Sequence, residues 1–175
     1  MKKLAMLSLL IFNVATVSAQ EGSRALDFTL QDIEGRVFKS ADFIGKHPML
    51  IDFWATWCNP CKVELPHLDA IYKKYEKQGL IFLAISEDSP RSISKVKPYV
   101  KSKNFAATIL LDPDGQVLKK FFGEGTLPYT ILINKEGDIV RTFTGYVPGQ
   151  ESDIEKMVAE MLSKTAEPSP ENQSR

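Results

Sequence analysis

The stretch that most constrains the fold of this chain runs from Met49 to Gly79. A short apolar run, Met49-Leu50-Ile51-Asp52-Phe53, leads within five residues to Cys58. A second cysteine follows at Cys61, and a long amphipathic segment comes after it. Val63, Leu65, Leu68, Ile71, Tyr72 and Tyr75 recur at helical spacing as far as Gln78, and Gly79 supplies a stop. Cys58 therefore falls where a strand ends and a helix begins. The free N–H groups and positive dipole end of a helix favour a thiolate there, which lowers the thiol pKa and raises its reactivity. Cys61, one turn on, is within reach of a mixed disulfide formed on Cys58. A purely structural bridge over three residues would constrain the unfolded chain very little. A zinc site would need further ligands, and the sequence offers only His47 and His67, without the paired spacing of zinc motifs. The spacing identifies a redox pair, with a Cys58–Cys61 disulfide in its oxidised form.

Trp57-Cys58-Asn59-Pro60-Cys61-Lys62, preceded by Asp52-Phe53-Trp54-Ala55, resembles the active site of the thioredoxin superfamily. Upstream, Ala25-Leu26-Asp27-Phe28-Thr29-Leu30, Asp32, Gly35 and Gly45-Lys46 are similar to the N-terminal portion of its TlpA/ResA branch of extracytoplasmic thiol-disulfide oxidoreductases. The likeness runs from about Ala25 to Leu162. It implies an α/β thioredoxin fold, with a central mixed β-sheet flanked by helices, an N-terminal β-hairpin and a central inserted strand and helix.

The 175 residues, 43% hydrophobic and 10% aromatic, suit one globular domain, and a formal charge of zero points to no nucleic-acid partner. Residues 1–19 read as a signal peptide. Lys2 and Lys3 precede an apolar stretch from Leu4 to Val17, and Val17-Ser18-Ala19 places the cut after Ala19. Asn13 and Thr16 interrupt the stretch; an uncleaved membrane anchor is the alternative. Residues 20–24 form a short linker, residues 25–163 the thioredoxin-like domain and residues 164–175 a disordered tail rich in Pro, Ser and Glu. Cleavage removes Lys2 and Lys3 and leaves 20 basic against 22 acidic residues.

Within the domain, Leu26–Leu30 and Arg36–Phe38 read as strands around a turn at Asp32–Gly35. Ser40 caps a single helical turn to Ile44. Leu80–Ile85 should run parallel to the first core strand, because a helix crosses between them. Ser89-Pro90 opens a helix to Lys103, interrupted by Pro98. A strand at Ala107–Leu111, a turn at Asp112–Gly115 and a helix at Gln116–Phe122 follow. Tyr129–Ile133 and Ile139–Phe143 form a hairpin, and Ile154–Leu162 a closing helix. Lys62, Glu64 and the run Lys95, Lys97, Lys101, Lys103 are expected in solvent, and His47 and His67 are given no role.

Asp52 is the anomaly of the central strand, since apolar residues on both faces predict its burial and hence a raised pKa. The resemblance implies that Asp52 relays the proton of Cys61. It likewise implies that Glu87, just past the second core strand, lies near the cysteines and accepts that proton. Leu127-Pro128 resembles the family's cis-proline loop, and Gly145 its glycine in the third loop of the substrate groove. Trp57, Asn59, Pro60, Leu127, Pro128 and Gly145 are the groove residues on this reading, with no metal and no cofactor.

The expected activity is thiol-disulfide exchange. Cys58 attacks a client disulfide and Cys61 resolves the intermediate. Asn59 in place of a histidine, and an aliphatic Leu127, favour reduction over oxidation. The resemblance implies exported clients with oxidised cysteines, apocytochrome c among them, and a membrane thiol transporter as electron donor. Four alternatives stand beside it: a disulfide-forming oxidant, a peroxiredoxin-like peroxidase, a copper-binding Sco-like protein and a non-catalytic scaffold. The peroxidase lacks its proline in Phe53–Cys58, and the copper protein lacks its CxxxC spacing.

Overall fold

A computed structural model describes residues 23–122 and 126–166. The expected signal peptide, residues 20–22 of the linker and residues 167–175 of the tail lie outside the described residues.

β1 (Thr29–Asp32) and β2 (Val37–Lys39) form the N-terminal hairpin, and β3 (Met49–Trp54) leads into α1 (Asn59–Tyr75). β4 (Ile81–Ser86), α2 (Val96–Lys103), β5 (Thr108–Leu111) and α3 (Gln116–Phe122) follow. β6 (Tyr129–Ile133), β7 (Ile139–Thr144) and α4 (Gln150–Ala166) complete the chain. The strands make one seven-stranded sheet in the order β2-β1-β5-β4-β3-β6-β7. β3, β4 and β5 run parallel, whereas β6 is antiparallel to β3 and β1 to β5.

All six residues of β3 are buried, because helices cover both faces of the sheet. On one face Leu50 and Trp54 join Leu65, Leu68, Ile154 and Val158 from α1 and α4. On the other, Ile51 and Phe53 join Phe28, Val117 and Phe121. Each large side chain buried in this way contributes roughly 1.5–3 kcal/mol. Parallel strands end on one side, so the loops after β3, β4 and β5 gather at a single sheet edge.

Several boundaries differ from the sequence expectation, each for a local reason. The first strand sits later, at Thr29–Asp32, where it pairs with both β2 and β5. Ser40 does not cap its 3₁₀ turn; its hydroxyl accepts the N–H of Phe28 at 2.8 Å. No α-helix starts at Ser89-Pro90. A 3₁₀ turn at Ile93–Lys95 precedes α2, and Pro98 occupies the first turn of that helix, where a missing N–H loses no bond. Val63, counted on the apolar stripe of α1, is exposed. α4 reaches Ala166, so residues 164–166, assigned to the tail, are helical. Among the described residues no helix is long and apolar enough to cross a membrane.

Candidate active site

The chain leaves β3 through a tight turn in which Cys58 N–H donates to Ala55 O at 3.1 Å. Cys58 has extended backbone angles and serves as N-cap of α1, its sulfur accepting the N–H of Cys61 at 3.3 Å. Pro60 lies in the first helical turn, where it is preorganised and loses no hydrogen bond. The two sulfurs form a disulfide, with Cα atoms 5.3 Å apart. Cys58 keeps 6% of its surface in solvent and Cys61 none, so only the first sulfur faces an incoming partner.

The groove residues expected from the sequence gather here. Trp57 is 62% exposed, Asn59 and Pro60 are also exposed, and Leu127 is half-buried. The Leu127–Pro128 peptide is cis. Antiparallel pairing sets Tyr129 opposite Phe53, so Pro128 arrives at the end of β3 that carries the cysteine turn. Gly145, at φ +72°, donates its N–H to Pro128 O at 2.8 Å and ties the third loop to the second.

Asp52 is fully buried, as expected, but it is not alone. Glu64, expected in solvent, is also fully buried. The hydroxyl of Thr130, opposite Asp52 in the register, lies 3.3 Å from Asp52 Oδ1 and 3.4 Å from Glu64 Oε1. Gln150 Nε2 donates to Glu64 Oε1 at 3.3 Å, while Asp52 Oδ2 and Glu64 Oε2 have no hydrogen-bond partner among the described residues. Burial, then the charge of Glu64, holds the Asp52 carboxyl well above the usual range against the opposing bond from Thr130. Burial likewise pushes Glu64 up to about 7. Two carboxyls this close titrate as a unit. The sequence did carry a signal for Glu64: it stands three residues after Cys61 and four before Leu68, on the buried face of α1.

Glu87 donates its N–H to Trp54 O at 2.8 Å, which fixes it beside the end of β3. Its carboxyl hydrogen-bonds to Asp112, and burial followed by the charge of Asp112 pushes its pKa up to about 9. Asp112 in turn accepts the N–H groups of Gln116, Val117 and Leu118 at the start of α3. Asp88, which sequence reasoning passed over, is fully buried. Its oxygens accept the N–H of Thr56 at 2.7 Å, the hydroxyl of Thr56 at 2.6 Å and the hydroxyl of Ser86 at 3.0 Å. Nothing in the sequence pattern distinguishes Asp88 from an ordinary loop acid.

A disulfide at the mouth of a helix, a cis-proline loop across from it and a mixed sheet beneath define a thioredoxin-fold dithiol protein. The AhpC/TSA family model matches residues 22–142. ResA, a thiol-disulfide oxidoreductase of Geobacillus thermodenitrificans, is 38% identical over 71% of this chain and 69% of its own. A solved structure from Chlorobium tepidum, assigned as the thiol:disulfide interchange protein DsbE, is 26% identical with a TM-score of 0.73. That match covers 83% of this chain and 99% of the other. The exposed lipoprotein thioredoxin Etrx1 of Streptococcus pneumoniae is 27% identical with a TM-score of 0.61, covering 79% of this chain and 99% of its own. The chain belongs to the AhpC/TSA family, among the ResA-like thiol-disulfide oxidoreductases.

Proposed function

We propose that this oxidoreductase works in the reducing direction on disulfides of extracytoplasmic client proteins. The observation that carries the direction is the buried acid pair of Asp52 on β3 and Glu64, three residues along α1 from Cys61, with no cation paired to either acid among the described residues. Negative charge and burial there disfavour thiolates, so the dithiol form is the less stable one and gives up electrons readily.

In the reduced protein the Cys58 thiolate attacks one sulfur of the client disulfide. A mixed disulfide forms, and the departing client thiolate takes up a proton. Cys61 then loses its proton to the Asp52–Glu64 pair, and its sulfur attacks Sγ of Cys58. The intramolecular disulfide closes, the client leaves as a dithiol, and two electrons have passed from protein to client. Of the pair, Glu64 is the acceptor, because a carboxyl with a pKa of about 7 is half ionised at neutral pH. Glu87 enters as a proton holder, since at about 9 it is protonated under the same conditions.

The exposed rim of Trp57, Asn59 and Pro60, with Leu127 and Gly145 across from it, receives an extended client segment, and backbone groups of Leu127 pair with it. The finer proposals are export by residues 1–19, cleaved after Ala19 or retained as an anchor, apocytochrome c among the clients, and a membrane thiol transporter as donor. The exposed lipoprotein thioredoxin supports an extracytoplasmic place, and the clients and donor rest on the family resemblance. The test is insulin reduction together with equilibration in glutathione buffers. Activity that vanishes in Cys58→Ser, and a potential near that of thioredoxin, about −270 mV, support the reading. A potential near that of strong oxidants, about −120 mV, overturns it. Cys61→Ala, unable to resolve, should accumulate covalent client adducts.

A further inference from the structure

The carboxyl group of Asp88 is buried completely, yet no lysine or arginine pairs with it among the described residues. Both of its oxygens are met by hydrogen-bonding groups, one of them the Thr56 N–H, which can only donate. A buried charge without a counter-ion is costly and persists only where donors hold it firmly. Here three donors do so, two from Thr56 and one from Ser86, and the Asp88 N–H returns a bond to the Ser86 hydroxyl at 3.2 Å.

The placement of those donors gives the group its consequence. Thr56 belongs to the turn that ends at Cys58, and Ser86 is the last residue of β4, in register with Trp54. The clamp therefore joins the end of β4 to the segment carrying the nucleophile. Two residues of chain span at most about 7 Å, so the carboxylate lies no further than on the order of 10 Å from the Cys58 sulfur. Asp88 and Cys58 are themselves buried, at 0% and 6% exposure, so water screens their interaction less than it would between surface groups.

We propose that Asp88 is a positioning and tuning residue for the redox pair, pinning the Ala55–Cys58 turn through Thr56 and using its unpaired charge to bias Cys58–Cys61 toward the disulfide. The proposal deepens the reductant reading, because a charge that disfavours the Cys58 thiolate makes the dithiol a stronger donor. The other ionisable groups on the elements packed around the pair remain the same in every variant tested. They are Asp52 of β3, Lys62, Glu64 and His67 of α1, Glu87 beside Asp88, Tyr99 of α2, Asp112 after β5, Tyr129 of β6, and Tyr146 and Glu151 after β7.

Two measurements on the full chain test the proposal, each on protein shown by circular dichroism to be folded. The first is the equilibrium with glutathione at pH 8.5; the second is the rate at which iodoacetamide alkylates reduced Cys58 at pH 7. Asp88→Asn removes the charge and keeps an acceptor for Thr56. It should shift the equilibrium toward the dithiol by roughly tenfold, about 30 mV, and speed alkylation severalfold. Thr56→Val retains the charge and the backbone bond, so neither quantity should move in that direction, and Thr56→Ser should match the wild type. Should Asp88→Asn fail to fold, Asp88→Ser, a small neutral acceptor, carries the same expectation. Wild-type values in both Asp88 variants, or an equal shift in Thr56→Val, would overturn the assignment. The wild-type potential judges the reductant reading separately, so the two fail independently.

Discussion

Glu87 makes the fold's stability fall as pH rises, and replacing it with glutamine should remove that fall. Its carboxyl holds its proton up to about 9 in the folded protein, against an ordinary value of 4.5, mainly through burial and then through Asp112. The folded state therefore binds a proton that the unfolded chain has already released across this window. Stability linked to Glu87 is complete below pH 4.5 and declines until pH 9. One proton of difference corresponds to about 1.4 kcal/mol per pH unit. Integrated over the whole window, that is at most about 6 kcal/mol, and the partial exposure of Glu87 reduces the realised loss to roughly 2–3 kcal/mol.

Glu87→Gln does not titrate, and its amide still donates to Asp112. Urea unfolding of the oxidised protein, followed by circular dichroism between pH 5 and pH 9, reads the difference directly. The variant should match the wild type near pH 5 and exceed it progressively above pH 6, by roughly 2 kcal/mol at pH 8. Asp52 and Glu64 add a slope of the same sign, but they are common to both proteins and cancel in the comparison. Parallel curves across the range, or a variant less stable at pH 8, would refute the account of Glu87 as a proton held against Asp112.

Three further outcomes are expected. Glu64→Gln should remove a rise near pH 7 in the rate of mixed-disulfide resolution and slow that step about 100-fold at neutral pH, measured by stopped-flow release of a labelled client peptide. Asp69→Ala should lower stability by about 2–3 kcal/mol, because the buried Asp69 accepts the N–H groups of Ala106 and Ala107 at 2.8 and 3.0 Å; insulin reduction per folded molecule should be unchanged. Leu68→Ala, which empties a fully buried position between α1 and the sheet, should cost about 2–5 kcal/mol in urea titration.

What could be read from the sequence follows the reach of the forces involved. The β3–turn–α1 unit, the cis-proline strand and the Asp112–Gly115 turn into α3 are written in contiguous residues, and each appears where the pattern puts it. Less legible were the features decided by distant partners. The position of β1 depends on pairing with β5, about 80 residues away in the chain. The Ser40 hydroxyl had a local role available but was taken by Phe28, twelve residues earlier. Glu64 looked solvated because a lone charge in an amphipathic helix usually is, and only its spacing from Cys61 and Leu68 spoke against that. Asp88 gave no sign at all, since its importance comes from Thr56, 32 residues back and brought near by parallel pairing of β3 with β4.

That same pairing explains why the acids collect beside the thiols. β3 carries Asp52 and leads into the Cys58 turn, while Glu87 and Asp88 follow the end of β4 and Asp112 the end of β5, at one edge of the sheet. α1 then lays Glu64 against Asp52. None of these five carboxyl groups pairs with a cation among the described residues; hydroxyl and backbone donors hold Asp88 and Asp112, whereas burial makes Asp52, Glu64 and Glu87 unfavourable to folding when ionised. Neutral replacements of these last three would stabilise the protein at the pH where the acids ionise, as argued for Glu87. Of the three, Glu64 is half ionised at neutral pH, so Glu64→Gln would also ease thiolate formation and weaken the dithiol as a reductant. In this protein, stability at neutral pH and reducing power therefore oppose one another at Glu64.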